Sequence, residues 1–230
     1  MKPNNPSFIL YFTICILIIF FKIIQSDAIV LYLKAVLVPI VFIYYLITNN
    51  YRINSSKSFI FLFCFAGDLF LLLNLLDSVI GGLLCFLIVY CLLLKLSFDN
   101  FRKLDFNKKD RLPLLVLMIF VGAICFTIMS LKFEQINPDF YLFLIYAIVL
   151  SLLCFVSFSN YIKKGIPVFF NLGVMCLCLA VSDIFFIVDN FYYDLYAFEF
   201  VNVFAKIFSY YFMVTYFIEN DKNFQKIIEV

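Results

Sequence analysis

Residues 58–97 read SFIFLFCFAGDLFLLLNLLDSVIGGLLCFLIVYCLLLKLS. Within them only Asp68, Asp77 and Lys95 are charged, and the polar break at Asn74–Ser78 divides the stretch into two apolar runs. Each run is close to the roughly 20 residues a helix needs to cross the hydrocarbon layer of a bilayer. The rest of the chain has the same character. Of 230 residues, 66% are hydrophobic and 14% charged, and mean hydropathy is +1.07. Soluble domains run at about 45–50% apolar and about 25% charged, so a water-soluble globular domain is excluded. Eight spans of about 20 residues leave only short loops and no room for a soluble catalytic domain.

The expected fold class is therefore all-α: a polytopic membrane bundle of about eight transmembrane helices. It forms a single transmembrane domain over 1–230, with spans at 7–24, 28–48, 58–76, 78–97, 112–131, 139–159, 166–188 and 197–218. Residues 7–24 are too long for a signal-peptide core, and no small-x-small cleavage site follows them, so they count as the first helix. Residues Asn49 to Lys57 separate helices 2 and 3. Asp99 to Arg111 form the largest loop, and Asn137-Pro138-Asp139 opens helix 6 with turn chemistry.

Lys2, Arg52, Lys57, Arg102, Lys103, Lys108, Lys109, Arg111, Lys163, Lys164, Lys222 and Lys226 collect on one side. Only Lys22 and Lys132 fall on the other, so the positive-inside rule places both termini in the cytoplasm. The lack of a targeting extension points to a bacterial inner membrane.

The net charge of +2 gives no footprint for nucleic acid, and no obligate protein partner is evident. Histidine is absent, which removes the usual general base and the commonest metal ligand. The eight cysteines sit in apolar runs without a C-x-x-C pair. They read as small hydrophobes rather than as a disulfide or metal framework.

Charges inside spans carry the functional signal, because each costs at least about 2.5–3.5 kcal/mol to insert and normally faces a partner or a wet cavity. Lys34 lies in helix 2, Asp68 and Asn74 in helix 3, Asp183 in helix 7, and Glu199, Asn202 and Lys206 in helix 8. At the helical rise, Asp68 sits about 15 Å from the inner end of its span, near mid-membrane. Lys34 and Lys206 lie about 9 and 14 Å below the outer surface. Glu199, Asn202 and Lys206 follow i, i+3, i+7 spacing and share one face. These depths predict an outward-opening polar cavity lined by helices 2, 3, 7 and 8. Interhelical pairing of either Asp with Lys34 or Lys206 would also satisfy these charges, and Glu199 is near enough to the outer interface to be simply solvated.

Gly67-Asp68-Leu69-Phe70 is echoed by Ser182-Asp183-Ile184-Phe185, each followed by an apolar turn and an Asn. Four helices separate the two segments, which is the pattern of two four-helix halves related by an axis along the membrane normal. The surroundings of the two Asp do not match the intramembrane aspartyl proteases: Phe65-Ala66-Gly67 precedes Asp68, the motif order is reversed, and no Pro-Ala-Leu exists.

The chain instead resembles the YhhN family of lysoplasmalogenase-like membrane proteins over most of its length. Lys34 sits at the family's helix-2 Lys, with Ala35 where Pro is usual. Gly67-Asp68 matches the family's Gly-Asp, and Gly82 to Phe86 is similar to its next Gly…Phe stretch. Ser182-Asp183 with Asn190-Phe191 resembles its Ser-Asp segment, and Tyr211 to Ile218 its closing helix. The chain departs from the pattern at Tyr90 and Leu93, where the family has His and then Tyr, and at Thr215, where it has Gln.

The resemblance implies hydrolysis of the vinyl ether of a lysoplasmalogen to a fatty aldehyde and a glycerophospho-base. Such a bond is cleaved by protonating its β-carbon and capturing the oxocarbenium-like cation with water. That chemistry needs one protonated carboxylic acid and one ionised carboxylate. Asp68 and Asp183 are the candidate catalytic pair, with Asp68, the deeper, as acid. Lys34 and Lys206 are candidates for the substrate phosphate, and Asn202 for glycerol hydroxyls. Glu199, Asn74 and Tyr90 complete the candidate substrate-binding set, Tyr90 as a hydrogen-bond donor in place of the family His. No metal or cofactor is called for; the partners are membrane lipids and the lysophospholipid substrate. Two alternatives stay open: a catalytically altered relative that binds or moves lipid, and an ion-coupled transporter of small solutes.

Overall fold

The computed structural model describes residues 6–73, 76–102, 111–130, 140–191 and 195–228. These form eight helices and, among the described residues, no strand: α1 (Pro6–Ile23), α2 (Asp27–Thr48), α3 (Ser55–Leu72), α4 (Leu76–Phe101), α5 (Arg111–Ser130), α6 (Phe140–Lys164), α7 (Pro167–Phe191) and α8 (Tyr196–Ile228). All except the 20-residue α5 belong to a set of seven that are long and apolar enough to cross a membrane. Large apolar side chains point outward along them. Ile16, Phe20, Leu62 and Ile119 are each more than half exposed, a surface that suits lipid tails and not water. The chain is an integral multi-pass membrane protein.

The connections explain why the helices turn back where they do. Gln25, between α1 and α2, takes a left-handed backbone (φ 61°), and the Ser26 amide returns to the Phe21 carbonyl at 3.0 Å, closing α1 in one tight turn. Between α6 and α7, Gly165 (φ 60°) ends one helix and Pro167 starts the next. Glycine takes the left-handed position without strain, and proline gives up an amide that has no helical partner at that place anyway. Pro39 inside α2 is tolerated as in other membrane helices, where neighbouring groups satisfy the freed carbonyl.

Several boundaries differ from the sequence expectation, among them the end of α6, which runs to Lys164 rather than 159. The α2–α3 loop ends at Asn54, whose side chain accepts from the Ser56 amide at 3.2 Å and caps α3; Ser55, Ser56 and Lys57 are helical, not loop. Helix α4 runs on through Asp99 and Asn100 to Phe101. Helix α8 continues ten residues past the expected end at 218, to Ile228. Apolarity marks where a helix is in lipid, but a helix stops only where its backbone finds a cap, and polar residues beyond the bilayer continue it freely.

The chain divides into two compact units. The first comprises residues 1–89 and 213–230, the second residues 90–212. The divisions fall inside α4 and inside α8, rather than after α4 as two four-helix halves would have it.

In the first unit α1 packs on α2 and α2 on α3. Ile18, Tyr45, Ile60, Phe61 and Phe217 are buried in its core. Helices α3 and α4 approach closely over two glycines. A Cβ on Gly67 would stand 2.9 Å from the Phe86 ring and 3.2 Å from the Cys85 Cβ, and one on Gly82 would stand 2.7 Å from the Leu71 side chain. Two of the motifs read separately in the sequence, Gly67-Asp68 and Gly82 to Phe86, are thus halves of one helix contact.

In the second unit α5 packs on α6 and α6 on α7. Leu153, Leu172, Met175 and Cys176 are fully buried there. Ser157 and Ser159 satisfy their hydroxyls on carbonyls one turn back, Leu153 and Phe155. Asn160 donates to the carbonyl and hydroxyl of Ser97 at 3.1 Å, fixing α6 to α4. None of the cysteines whose side chains are described is in a disulfide.

Candidate functional site

The second unit gathers a polar centre around Asp183 of α7. The side chain is almost wholly buried, at 9% residue exposure. Its Oδ2 accepts from the Tyr90 hydroxyl of α4 in a short hydrogen bond, and from the Tyr146 hydroxyl of α6 at 2.8 Å. Tyr146 also reaches the Tyr90 oxygen at 3.1 Å. The two rings pack at 5.2 Å between centroids and are both buried. The other carboxylate oxygen, Oδ1, faces the Lys206 ammonium of α8 at 4.0 Å. The residue before Asp183 makes a second link between the same two helices: Ser182 Oγ donates to Asn202 Oδ1 at 2.8 Å. Asn202 and Lys206 are one turn apart on α8, so two consecutive α7 residues meet one face of that helix.

A carboxylate is an acceptor with no proton to give, and here it meets two phenolic donors and a cation. In a medium without water, each of these donors also needs the carboxylate, because an unmatched hydroxyl or ammonium would cost several kcal/mol. The arrangement is a matched, charge-centred network spanning four helices.

Of the residues singled out in the sequence, the structure brings together Asp183, Tyr90 and Lys206, with Asn202 beside them. The pairing of Asp183 with Lys206 is one of those expected for the intramembrane ions. Glu199 is half-buried in the first turn of α8. Lys34 and Asp68 are half-buried in α2 and α3 of the first unit. Asn74 lies outside the described residues, as do Lys132 and the Asn137-Pro138-Asp139 turn. Among the described residues, no three His, Cys, Asp or Glu side chains converge as a metal site would require.

Sequence reasoning missed Tyr146. Its signal is there: a phenol in mid-span, in Phe143-Leu144-Ile145-Tyr146-Ala147, has to place its hydroxyl on a partner. It also missed a polar cluster in the first unit. Lys57, read as a loop cation, is buried at the start of α3. Its ammonium donates to Asp221 Oδ1 at 2.5 Å and to the Phe217 carbonyl at 3.3 Å, and it lies over the Tyr45 and Phe217 rings. Asp221 Oδ2 accepts from Tyr45 at 2.7 Å and from Asn49 at 3.1 Å. Lys22, counted among outer-side cations, is likewise buried, in the last turn of α1.

Fold and centre together define a class: a multi-pass helical membrane protein with a carboxylate–phenol–ammonium network buried inside it. Residues 29–219 match the YhhN family, and the chain belongs to that family. The match includes Lys34, Asp68, Tyr90, Tyr146, Asp183 and Lys206, and stops just short of Asp221. No curated protein and no solved structure matches the chain.

Proposed function

We propose that the protein is a membrane hydrolase that cleaves the vinyl ether of lysoplasmalogen, or of a related lysolipid, by acid and base catalysis. The observation that supports this reading most is the setting of Asp183. Vinyl ether cleavage passes through a cation, and a buried carboxylate oriented by fixed donors stabilises such a cation without reorganising. Asp68 is the proposed acid. Lys34 and Lys206 are proposed to hold the substrate phosphate, as point-charge donors on long stems. Asn202, Glu199 and Asn74 are proposed to serve the glycerol and headgroup. The membrane is proposed to be a bacterial inner membrane with both termini cytoplasmic.

Asp68 gives its proton to the β-carbon and the double-bond electrons form the new C–H bond. Water adds to the resulting oxocarbenium carbon and loses a proton to Asp183. The hemiacetal then breaks its bond to the glycerol oxygen, which takes the proton held on Asp183. The hemiacetal hydroxyl becomes the aldehyde and returns a proton to Asp68. One water is consumed.

The test is aldehyde release by the purified, detergent-solubilised protein from a lysoplasmalogen. Wild type is expected to form product with time, and Asp183→Asn and Asp68→Asn to form none while remaining folded. Product from either variant at the wild-type rate overturns the reading.

The departure at Tyr90 favours a second reading, a relative that binds lipid without turnover. A phenol keeps its proton at neutral pH and is a poor base there, and here it is committed to Asp183. Saturable lysolipid binding by folded wild type without aldehyde would establish that reading.

A further inference from the structure

Both phenols that reach Asp183 bind the same oxygen. Tyr90 and Tyr146 donate to Oδ2, whereas Lys206 faces Oδ1. An ionised carboxylate oxygen has about two lone pairs in its plane, so two phenolic donors fill Oδ2. They also fix the plane of the carboxylate, since a turn about its Cβ–Cγ bond would exchange the oxygens and break both bonds. The two phenols also support each other through their packed rings.

We propose that Tyr146, together with Tyr90, is a positioning residue that makes Asp183 a one-sided group. Oδ2 is structural, and Oδ1, on the Lys206 side, is the oxygen that accepts the proton from water. On this assignment Tyr90 does not contact substrate. Its phenol is committed to Oδ2, and Tyr146 doubles that bond. The inference rests on the hydrolase reading for its kinetics, but not for its geometry.

The experiment uses Tyr146→Phe, which keeps the ring and removes only the hydroxyl. With lysoplasmalogen as substrate, kcat is expected to fall about 10- to 100-fold, the scale of a mispositioned catalytic group. KM should change by less than about threefold, because the lost interaction is not made to substrate. Fluorotyrosine at position 146 retains the hydroxyl and is expected to restore kcat.

A second measurement is independent of turnover. In protein labelled with carboxylate-isotope aspartate, the infrared carboxylate band that Asp183→Asn removes should shift in Tyr146→Phe, and further in Tyr90→Phe/Tyr146→Phe. An unmoved band overturns the proposal. So does a Tyr146→Phe variant with unchanged kcat, or one whose loss lies in KM. Should wild type release no aldehyde, the hydrolase reading fails alone, and the infrared shift still decides the positioning of Asp183.

Discussion

At Asp183 and Lys206, each ion answers a cost the other would otherwise impose. A buried ammonium or carboxylate left without its counterpart is far more expensive than either pair or no pair. Lys206→Met therefore strands the carboxylate against its two phenols. The variant is expected to lose about 1–3 kcal/mol, the cost of an unsatisfied buried group, read as a lower melting temperature in detergent. Asp183→Asn/Lys206→Met removes both charges and should melt above the single Lys206→Met variant. A double variant that melts as low as the sum of the singles would show that the two groups do not interact. The charge at Asp183 was legible in the sequence because charge is rare in lipid. Tyr146 was not, because this chain has fifteen tyrosines, and spacing does not say which hydroxyl faces a carboxylate on another helix.

Among the elements, α8 shows most clearly how far apolar patterning reaches. Its 33 residues extend about 50 Å at the helical rise, well beyond a hydrocarbon core of about 30 Å. The apolar stretch within it was readable, but the polar turns after residue 218 looked like a tail. They are held because Asp221 returns to Lys57 of α3 and to Tyr45 and Asn49 of α2. No local pattern announces such a contact: Lys57 and Asp221 are far apart in sequence and each alone resembles a loop-side charge. Asp221→Ala leaves the buried Lys57 ammonium with the Phe217 carbonyl and two ring faces. The loss is expected to be about 3–5 kcal/mol, as for breaking other buried pairs. Lys57→Met/Asp221→Ala should recover a substantial part of it in the same melting measurement. If Asp221→Ala melts as wild type, the pair adds nothing to the fold of the first unit. The glycine motifs make the complementary point. Gly67 and Gly82 were legible as a family pattern, but their reason, the fit of Phe86 and Leu71 against them, required the packed helices.

For the whole molecule, composition decided the class of solvent, and residues 29–219 match the YhhN family. The orientation in the membrane follows from a different argument, the distribution of cations between loops, and it meets a complication in the structure. Lys57 and Lys22 are buried, so neither works as a freely solvated topology signal. Removing both leaves Arg52, Arg102, Arg111, Lys163, Lys164 and Lys222 among the described cations of the inner side, with more at 103–109 and at both ends of the chain, against Lys132 on the outer. The asymmetry survives, because the rule counts lysine and arginine near span ends and not net charge. Eight spans, the number expected from the sequence, put both termini on one side, and the proposed orientation makes that side the cytoplasm. A reporter fused after Val230 that is active only in the cytoplasm is expected to be active, and one that matures only outside to be silent. The opposite pattern would reverse every depth assigned above, turning the proposed outward-facing centre of Asp183 and Lys206 toward the cytoplasm and the lysolipid supply toward the inner leaflet.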